Sequence, residues 1–207
     1  MFSIKKSILG ISTIAIFIAL STTGCNRKVT RIDPDTVTDL SGQWNNTDAS
    51  LTAEAISTKM LAAQWLGDYM AAAKKKPTLV VGLVTNKSHE HVDAEIFIKD
   101  IEKALLKSQA TRLVQAGDRR KELRAERADQ EQFASKETAK KWGKELGADY
   151  ILQGSIKSIV DETVKNKVVY KQNERTTYWQ IDMELTNVET NEIVWLDDWK
   201  GKKYIKR

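Results

Sequence analysis

The run TLVVGLVT, residues 78–85, decides the fold of this chain. It is almost entirely apolar and lies between Pro77 and Asn86, two residue types that favour turns. A short apolar run bounded in this way predicts a strand that is buried on both faces, as strands of parallel sheets are. Because such a strand needs helices to cover it, we expect an α/β fold.

The residues that follow this strand predict a β-α-β unit. Residues 93–108 carry apolar side chains at the spacing of one helical face, with Glu95 near the start and Lys107 near the end, where each charge favours a helix. Residues 111–115 then predict a second strand, joined to the first by a right-handed connection. The apolar face of the helix consists of Ala94, Phe97, Ile98, Ile101, Ala104 and Leu105.

Another helix is expected before the first strand. Thr47 or Asp48 can cap its start, and Pro77 stops it. Three consecutive lysines, residues 74–76, could meet phosphate or lipid headgroups, but we prefer the simpler interpretation that they complement the negative end of the helix dipole. The residues near helical spacing are Leu51, Ala55, Ala62, Leu66 and Tyr69.

In the second half of the chain, apolar and polar residues alternate with a period of two, which predicts strands. Residues 150–160 form the first, with Gly154 marking a bulge or a close approach, and residues 165–167 form a loop. A second strand covers residues 177–187 and a third covers residues 193–199. In the second strand the alternation places Trp179, Ile181, Met183 and Leu185 on one face and Tyr178, Gln180, Asp182 and Glu184 on the other.

A highly charged stretch separates the two halves. Residues 118–132 hold five basic and five acidic residues, with Leu123 as the single large apolar one, so this stretch should be mostly exposed. It is either a solvated face or a recognition surface, since arginine pairs bidentately with carboxylates and is common at binding hot spots. The candidate partner-binding residues are Arg120, Arg124 and Arg127, which would share one side of a helix.

These elements together predict one mixed sheet. A helix beginning at Ser135 and ending at Gly147, with Ala139, Trp142 and Leu146 on its apolar face, completes the order α-β-α-β-α-β-β-β. The fold class is therefore α/β, with a β-α-β-α part followed by an antiparallel meander and helices packed on the sheet.

The amino terminus predicts export and a lipid anchor. Lys5 and Lys6 precede an uncharged run of 13 residues, 8–20, which is shorter than the roughly 20 residues that span a bilayer. Small and polar residues then lead to Cys25, the single cysteine of the chain. This arrangement resembles a bacterial lipoprotein box, although Thr22 stands where the box prefers leucine. It implies that residues 1–24 are a signal peptide and that the Cys25 thiol carries diacylglycerol, whereas an ordinary secretory signal or an uncleaved anchor is the alternative.

Three regions follow from this interpretation. Residues 1–24 are the lipoprotein signal peptide, residues 25–46 are a lipidated tether, and residues 47–207 are the globular α/β domain. About 22 tether residues extend to roughly 75 Å at most. Leu40 and Trp44 near its end are expected to dock on the domain, and Asn26 after the cysteine favours the outer over the inner membrane.

Composition and motifs argue against catalysis. With 33 basic and 28 acidic residues intermixed, the net charge of +5 gives little support for nucleic-acid binding. His89, Glu90 and His91 could hold a metal, but they lie on a loop without a third partner or the spacing of known motifs. We expect no metal, no cofactor and no catalytic residue. Trp142 and Trp195 are expected in the core, while the roles of Trp179 and Trp199 stay open.

Four segments suggest a family. They are DLSGQWNNTDASLTAEA (39–55), GLVTNKSHEHVDAEIFIKDIEKALLKS (82–108), ELRAERADQEQFASKETAKKWGKELGADYILQGSI (122–156) and ELTNVETNEIVW (184–195). They resemble lipoproteins of the LpoB type, which activate penicillin-binding proteins. The resemblance implies a fold similar to the amino-terminal domain of TolB. It also implies a lipid-anchored outer-membrane protein that faces the periplasm, binds a bifunctional penicillin-binding protein and stimulates its peptidoglycan synthesis.

One departure from that family keeps a second function open. The enterobacterial member has a long disordered tether, whereas this chain has about 22 tether residues. The alternative is an envelope structural or assembly lipoprotein that uses the same domain to hold a different periplasmic protein.

Overall fold

The computed structural model describes residues 30–33, 36, 37, 39, 41–133, 147–166 and 171–206. The predicted signal peptide, Cys25, Leu40 and the helix expected from Ser135, with its Trp142, lie outside these ranges. The architecture below is that of the unit Val37–Arg207. None of the helices within the described ranges is long and apolar enough to cross a membrane.

A five-stranded mixed sheet forms the centre of the described residues. Its strands are β1 (Thr78–Lys87), β2 (Arg112–Val114), β3 (Tyr150–Asn166), β4 (Lys171–Asn187) and β5 (Ile193–Lys206). They lie in the order β2-β1-β3-β4-β5. β1 is parallel to β2 and β3, and β3, β4 and β5 are antiparallel neighbours. The predicted α/β fold with a mixed sheet and a carboxy-terminal meander is confirmed.

In the part of the chain that the structure describes, four helices accompany the sheet: α1 (Asn46–Ala62), α2 (Gln64–Ala73), α3 (Ala94–Ser108) and α4 (Gly117–Phe133). α1 packs against α3 and β5, and α3 packs against β1 and β2. The core therefore lies between these two helices and one face of the sheet. Its largest fully buried side chains are Trp179, Phe97, Ile56, Met60, Leu79, Ile101, Leu105, Leu152, Ile156, Ile181, Met183 and Leu185.

The alternation predicted for β4 is confirmed by burial. Trp179 is 1% exposed, which answers the question that the sequence left open. Trp195 and Trp199 are half-buried and pack against the core from β5. The opposite face of the sheet, which we call the open face, carries Tyr178, Gln180, Asp182 and Glu184.

The expectation that β1 is buried on both faces holds for only part of the strand. Residues 78–81 are buried, but Leu83 is 69% exposed. The reason is that β2 pairs only with Thr78, Leu79 and Val80 and ends at Val114. Beyond Val80 no described strand borders β1 on that side, and its side chains alternate between core and solvent.

Two sequence predictions about the first helix are wrong. Neither Thr47 nor Asp48 is its cap, because the Asn45 side chain accepts a hydrogen bond from the Asp48 N–H at 3.2 Å and the Asp48 carboxylate accepts one from the Asn45 N–H at 2.9 Å. This is a capping box that begins two residues earlier. The helix is also interrupted at Ala63, whose backbone is extended. The Trp65 indole N–H reaches the Met60 carbonyl at 2.7 Å and so supplies a partner at the end of α1.

Two predictions about β3 and its connection to β4 had different outcomes. Gly154 does permit a close approach, because a Cβ there would lie 2.3 Å from both the Asp182 carbonyl oxygen and the Met183 sulfur. The bulge is on β1 instead, which advances three residues from Val81 to Val84 while β3 advances two.

The loop expected at residues 165–167 is wrong for its first two residues, which pair with β4, because backbone pairing continues along β3 and β4 irrespective of side-chain polarity. Residue 167 lies outside the described ranges.

The segment before α1 packs on the sheet through its described residues, 39 and 41–45. The Trp44 ring lies 6.2 Å from that of Trp179 and 6.0 Å from that of Trp199, so the predicted docking of Trp44 is confirmed. Gly42 has a φ of +63°, and a Cβ there would meet the Ile205 side chain at 2.3 Å. We call residues 39–45 the strap.

Candidate functional site

The row of arginines singled out in the sequence lies on a helix. α4 follows the short strand β2, and its described side chains from Lys121 onward are exposed. Arg120, Arg124 and Arg127 are spaced by four and three residues and therefore share one side of α4. Arg120 is half-buried, and the other two are exposed. Residues 117–133 thus form a helix, the conformation in which these arginines were expected to share one side.

The start of α4 is fastened to the neighbouring helix. The Arg119 guanidinium lies 2.9 Å from the Glu95 carboxylate in the first turn of α3. Lys121 and Asp118 form a second ion pair at 2.8 Å within α4 itself. Both pairs are exposed and contribute little to stability, and only the Arg119–Glu95 pair joins the first turn of α4 to α3.

A groove of about 580 Å³ opens beside this first turn. Its floor is apolar, with Val80, Leu83, Ile98 and Ile151, and it forms where β2 ends and the β1 bulge begins. Charged side chains surround this floor, among them Lys99, Glu102, Arg119 and Arg120. An apolar centre inside a charged rim is the arrangement of many protein-binding sites, and Arg120 belongs to both the groove and the arginine row.

The open face of the sheet is a second candidate surface. A shallow depression of about 820 Å³ lies over β3, β4 and β5. Within it the Asp182 carboxylate accepts hydrogen bonds from Lys157 at 2.7 Å and from Gln180 at 2.6 Å. Burial alone would raise the pKa of Asp182, but these two donors outweigh it and hold the pKa below its usual value. Exposed apolar side chains on this face and its rim include Leu83, Ile159, Leu196 and Tyr204.

The loop with His89, Glu90 and His91 has a structural role. The Glu90 side chain is only 6% exposed, accepts a hydrogen bond from the Trp44 N–H at 2.7 Å and lies 3.6 Å from Arg175. The His89 N–H donates to the Ser158 hydroxyl at 2.9 Å. Among the described residues, no three potential metal ligands come together. Glu90 therefore fixes the strap to the sheet.

Two of the three lysines after α2 have local roles. Lys74 ends α2 in the left-handed conformation, with a φ of +53°. Lys75 lies 3.7 Å from Asp149, whose carboxylate also accepts a hydrogen bond from the Thr78 N–H at 2.7 Å. These contacts join the end of α2 to the starts of β1 and β3.

Sequence reasoning missed the role of Lys203. Its ammonium group lies 2.6 Å from the Asp48 carboxylate and 2.5 Å from the Asp39 carboxylate, and 5.9 Å from the centre of the Trp179 ring. It also donates to the Gln43 carbonyl at 3.2 Å. The sequence gives no local signal of the contacts with Asp39, Gln43 and Asp48, because these residues lie 155 to 164 positions from Lys203.

Comparison with known proteins points to one family. A family model described as "Peptidoglycan-synthase activator LpoB" matches residues 48–200. A search of curated proteins finds no match. Among solved structures, the LpoB C-terminal domains from Salmonella enterica and Escherichia coli are each 18% identical, with TM-scores of 0.43 and 0.45, and each match covers 74% of this chain and 98% of that domain. Lipoprotein GNA1162 from Neisseria meningitidis is 13% identical, with a TM-score of 0.35 over 63% of this chain and 84% of that one.

Proposed function

This chain belongs to the LpoB family of peptidoglycan-synthase activators, and on that premise we propose that it binds a bifunctional penicillin-binding protein and stimulates its synthesis of peptidoglycan. The observation that carries the proposal is the family match, which extends from residue 48 to residue 200 and so spans all nine helices and strands described, apart from the ends of the first and last.

An activator of this kind works through binding. It stimulates an enzyme to the extent that it binds the active conformation more tightly than the inactive one. A coupling free energy of about 1–3 kcal/mol between two sites corresponds to a change of roughly 5- to 150-fold. A protein surface of ordinary size can supply this without any reacting group of its own.

The proposal includes a lipid anchor at Cys25 and a position at the outer membrane, facing the periplasm. The support is the charged start, the 13-residue apolar run and the single cysteine that follows small residues. One acyl chain binds a membrane only marginally, and several chains on one residue anchor a protein stably. Metabolic labelling with a fatty-acid analogue should mark the wild-type chain. Cys25→Ser should lose both the label and the membrane fraction, and an unchanged label would contradict the anchor.

We place the partner contact at Arg120, Arg124 and Arg127, together with the groove beside Arg120. The support is that these side chains share one side of α4 and that the groove has an apolar floor within a charged rim. Guanidinium groups pair bidentately with carboxylates, so the facing surface of the synthase should be acidic. An apolar side chain of the synthase would then fill the groove.

Charge reversal tests this placement. Replacing Arg120, Arg124 and Arg127 with Glu should weaken binding of the synthase at least about tenfold, or about 1.4 kcal/mol, because attraction to an acidic surface becomes repulsion. The melting temperature should change by only a few degrees, since most of this helix face is exposed. Titration by calorimetry, with thermal melts alongside, measures both quantities.

A matched control reverses three charges elsewhere. Lys74, Lys76 and Lys107 are exposed and lie near the amino ends of β1 and β2, whereas α4 begins at the carboxyl end of β2. Their replacement with Glu should leave the affinity within about twofold of wild type. Equal losses in both triple variants would show that only net charge matters. An unchanged affinity in the arginine variant would move the search to Tyr178, Gln180 and Asp182 on the open face.

The second candidate function is that of an envelope assembly lipoprotein that holds another periplasmic protein. It is favoured by a short tether, because the strap packs on the sheet and only the 14 residues 25–38 are left to extend, which reach roughly 48 Å at most. Affinity capture from envelope extracts, with the full chain as bait, separates the two candidates. Recovery of a bifunctional synthase supports activation, and recovery of a different envelope protein without the synthase supports assembly.

A further inference from the structure

The strand β5 ends the sheet and leaves one of its edges unpaired by any described strand. Two contacts show which of its backbone groups face that edge. The Asp198 carbonyl accepts a hydrogen bond from the Lys59 ammonium at 2.7 Å, and the Asp198 N–H donates to the Asp197 carboxylate at 2.7 Å. Both backbone groups of Asp198 therefore point away from β4.

The same orientation recurs at every second residue. In an antiparallel ladder, alternate residues direct N–H and C=O to the same side, and the register of β5 with β4 is unbroken from Leu196 to Lys206. Lys200, Lys202, Tyr204 and Lys206 therefore present their N–H and C=O groups at the free edge. Within the described ranges, the hydrogen bonds outside the ladders include none to these groups of Lys200, Lys202 or Tyr204.

The side chains of these four residues lie together on the open face. In the register of β5 with β4 they lie directly opposite four residues of β4 that belong to that face, namely Gln180, Tyr178, Thr176 and Glu174. All four are exposed, with Tyr204 at 60%. The edge therefore offers backbone hydrogen-bonding groups and exposed side chains at the same positions.

This edge is strongly basic. The last eight residues, KGKKYIKR, contain four lysines and one arginine and no acidic residue. Lys203 points to the other face and is engaged by Asp39 and Asp48. Lys200 pairs with Asp198 at 2.9 Å, whereas Lys202 has no ion pair with a described residue. A strand added at this edge would place its side chains about 5 Å from the lysines, where carboxylates would be favoured.

We propose that the β5 edge from Lys200 to Lys206 binds an extended acidic segment of a partner protein as a sixth strand. Backbone hydrogen bonds would supply affinity, and the lysines would supply selectivity for acidic side chains. Asp198 sets the upstream limit, because its backbone groups are already bonded. The site is about seven residues long, or roughly 24 Å.

A second copy of this chain is a poor occupant for the edge. Antiparallel pairing of residues 200–206 with themselves would place Lys200 opposite Lys206, and like charges directly opposite each other are destabilising. Lysines on an edge strand are a common protection against such self-pairing. The site also lies at the opposite edge of the sheet from β2 and the helix α4 that follows it, so it stands whether or not the partner at α4 is a synthase.

A fluorescent peptide that alternates glutamate with valine and threonine is a suitable probe, and the same peptide with lysine for glutamate is its control. We expect anisotropy titrations on the full chain to show binding of the acidic peptide and at least about tenfold weaker binding of the basic one. Lys202→Glu combined with Lys206→Glu should weaken binding of the acidic peptide at least about tenfold. Lys74→Glu combined with Lys76→Glu should not.

A proline substitution isolates the backbone contribution. Tyr204→Pro removes an N–H that faces the edge and leaves the bonds to β4 intact, which is where edge strands tolerate proline. Tyr204→Ala keeps that N–H. The proline variant should lose at least about tenfold in affinity relative to the alanine variant, with thermal melts confirming that both fold.

Hydrogen exchange on the wild-type chain gives an independent readout that needs no variant. Bound acidic peptide should slow exchange of the Lys200, Lys202 and Tyr204 amides and leave those of Gly201 and Lys203, which face β4, unchanged. Three results would overturn the proposal: equal binding of both peptides, loss of binding in the lysine variants but not in Tyr204→Pro, or protection of other segments only. The second would indicate a basic surface that attracts anions without strand addition.

Discussion

At the scale of single residues, Gly154 shows how closely the strands of this sheet approach. A Cβ at this position would lie 2.3 Å from the Asp182 carbonyl oxygen, which belongs to the backbone and cannot rotate away. Gly154→Ala should therefore lower the free energy of unfolding by about 1–3 kcal/mol, as overpacking of a core does. Urea unfolding followed by tryptophan fluorescence measures the change.

The matched control for Gly154 is another glycine. Gly67 lies within α2 and has nothing within 4 Å of the Cβ position. Gly67→Ala should raise the free energy of unfolding by about 0.5–1 kcal/mol, because alanine favours helix more than glycine does. If both alanine variants shifted stability in the same direction, the close approach at Gly154 would not be the cause.

Lys203 links the strap, α1 and β5, and its charge state makes stability depend on pH. Burial alone would lower the pKa of Lys203, but hydrogen bonds with Asp39 and Asp48 outweigh it and raise the pKa above 10.5. The hydrogen bond from Lys203 holds the pKa of Asp39 below 3.8. The Asp39 contribution is therefore present above about pH 3.8 and is lost as the pH falls through the lower folded value. The Lys203 contribution is complete below 10.5 and is lost as the pH rises beyond it.

Replacing Lys203 should remove this pH dependence. Lys203→Met should lower the free energy of unfolding by about 2 kcal/mol near neutral pH, because the largely buried Asp48 loses a charged partner. The difference from wild type should shrink in strong acid and in strong alkali. Chemical unfolding across pH measures it, and Lys202→Met, on the exposed face, is the control. A difference independent of pH would show that Lys203 stabilises by packing rather than by charge.

At the scale of elements, the strap differs from what composition suggests. Trp44 packs against Trp179 and Trp199, and Glu90 accepts a hydrogen bond from its N–H. A fragment of residues 37–207 should therefore melt several degrees above a fragment of residues 47–207, which lacks Trp44 and Asp39. Differential scanning calorimetry on both fragments, with Trp44→Ala in the longer one as a control, tests this. Equal melting temperatures would show that the strap adds nothing to the fold, and the domain boundary at residue 47 would stand.

The elements that the sequence predicts well are those with strong periodicity. α3 carries apolar residues on one face and an Asp93 cap, and it lies where expected. β4 alternates cleanly and is buried accordingly. The break at Ala63 could not be predicted, because it depends on the contact between the Trp65 indole and the Met60 carbonyl. The docking of Trp44 was predicted, but the contacts of Asp39 and Gln43 with Lys203 were not, since they need the end of β5 beside the start of α1.

The candidate site was predictable in part. The arginines lie on one side of a helix, as their spacing indicated, but the groove beside Arg120 was not foreseen. That groove exists because β2 is only three residues long and β1 bulges beyond it, and both features depend on strand pairing. The interpretation of His89, Glu90 and His91 as a surface loop missed the burial of Glu90, which depends on Arg175 and Trp44.

At the scale of the whole molecule, function comes from surfaces. The helices α1 and α3 cover one face of the sheet. The open face, the arginine row on α4 and the β5 edge expose groups suited to protein contacts. The arginine row on α4 and the β5 edge lie towards opposite edges of the sheet, so the protein has room to bind two partners, or two parts of one partner, at the same time. Membership of a family of peptidoglycan-synthase activators supports a synthase as one of them.

The most direct test of this function is the rate of glycan-strand polymerisation by the bifunctional synthase recovered with the full chain. Adding wild-type chain at saturating concentration should raise that rate at least about fivefold, as expected for a coupling free energy near 1 kcal/mol. The variant with Arg120, Arg124 and Arg127 replaced by Glu should need at least about tenfold more protein for the same effect. An unchanged rate at saturation, with binding demonstrated in the same mixture, would contradict the assignment as an activator.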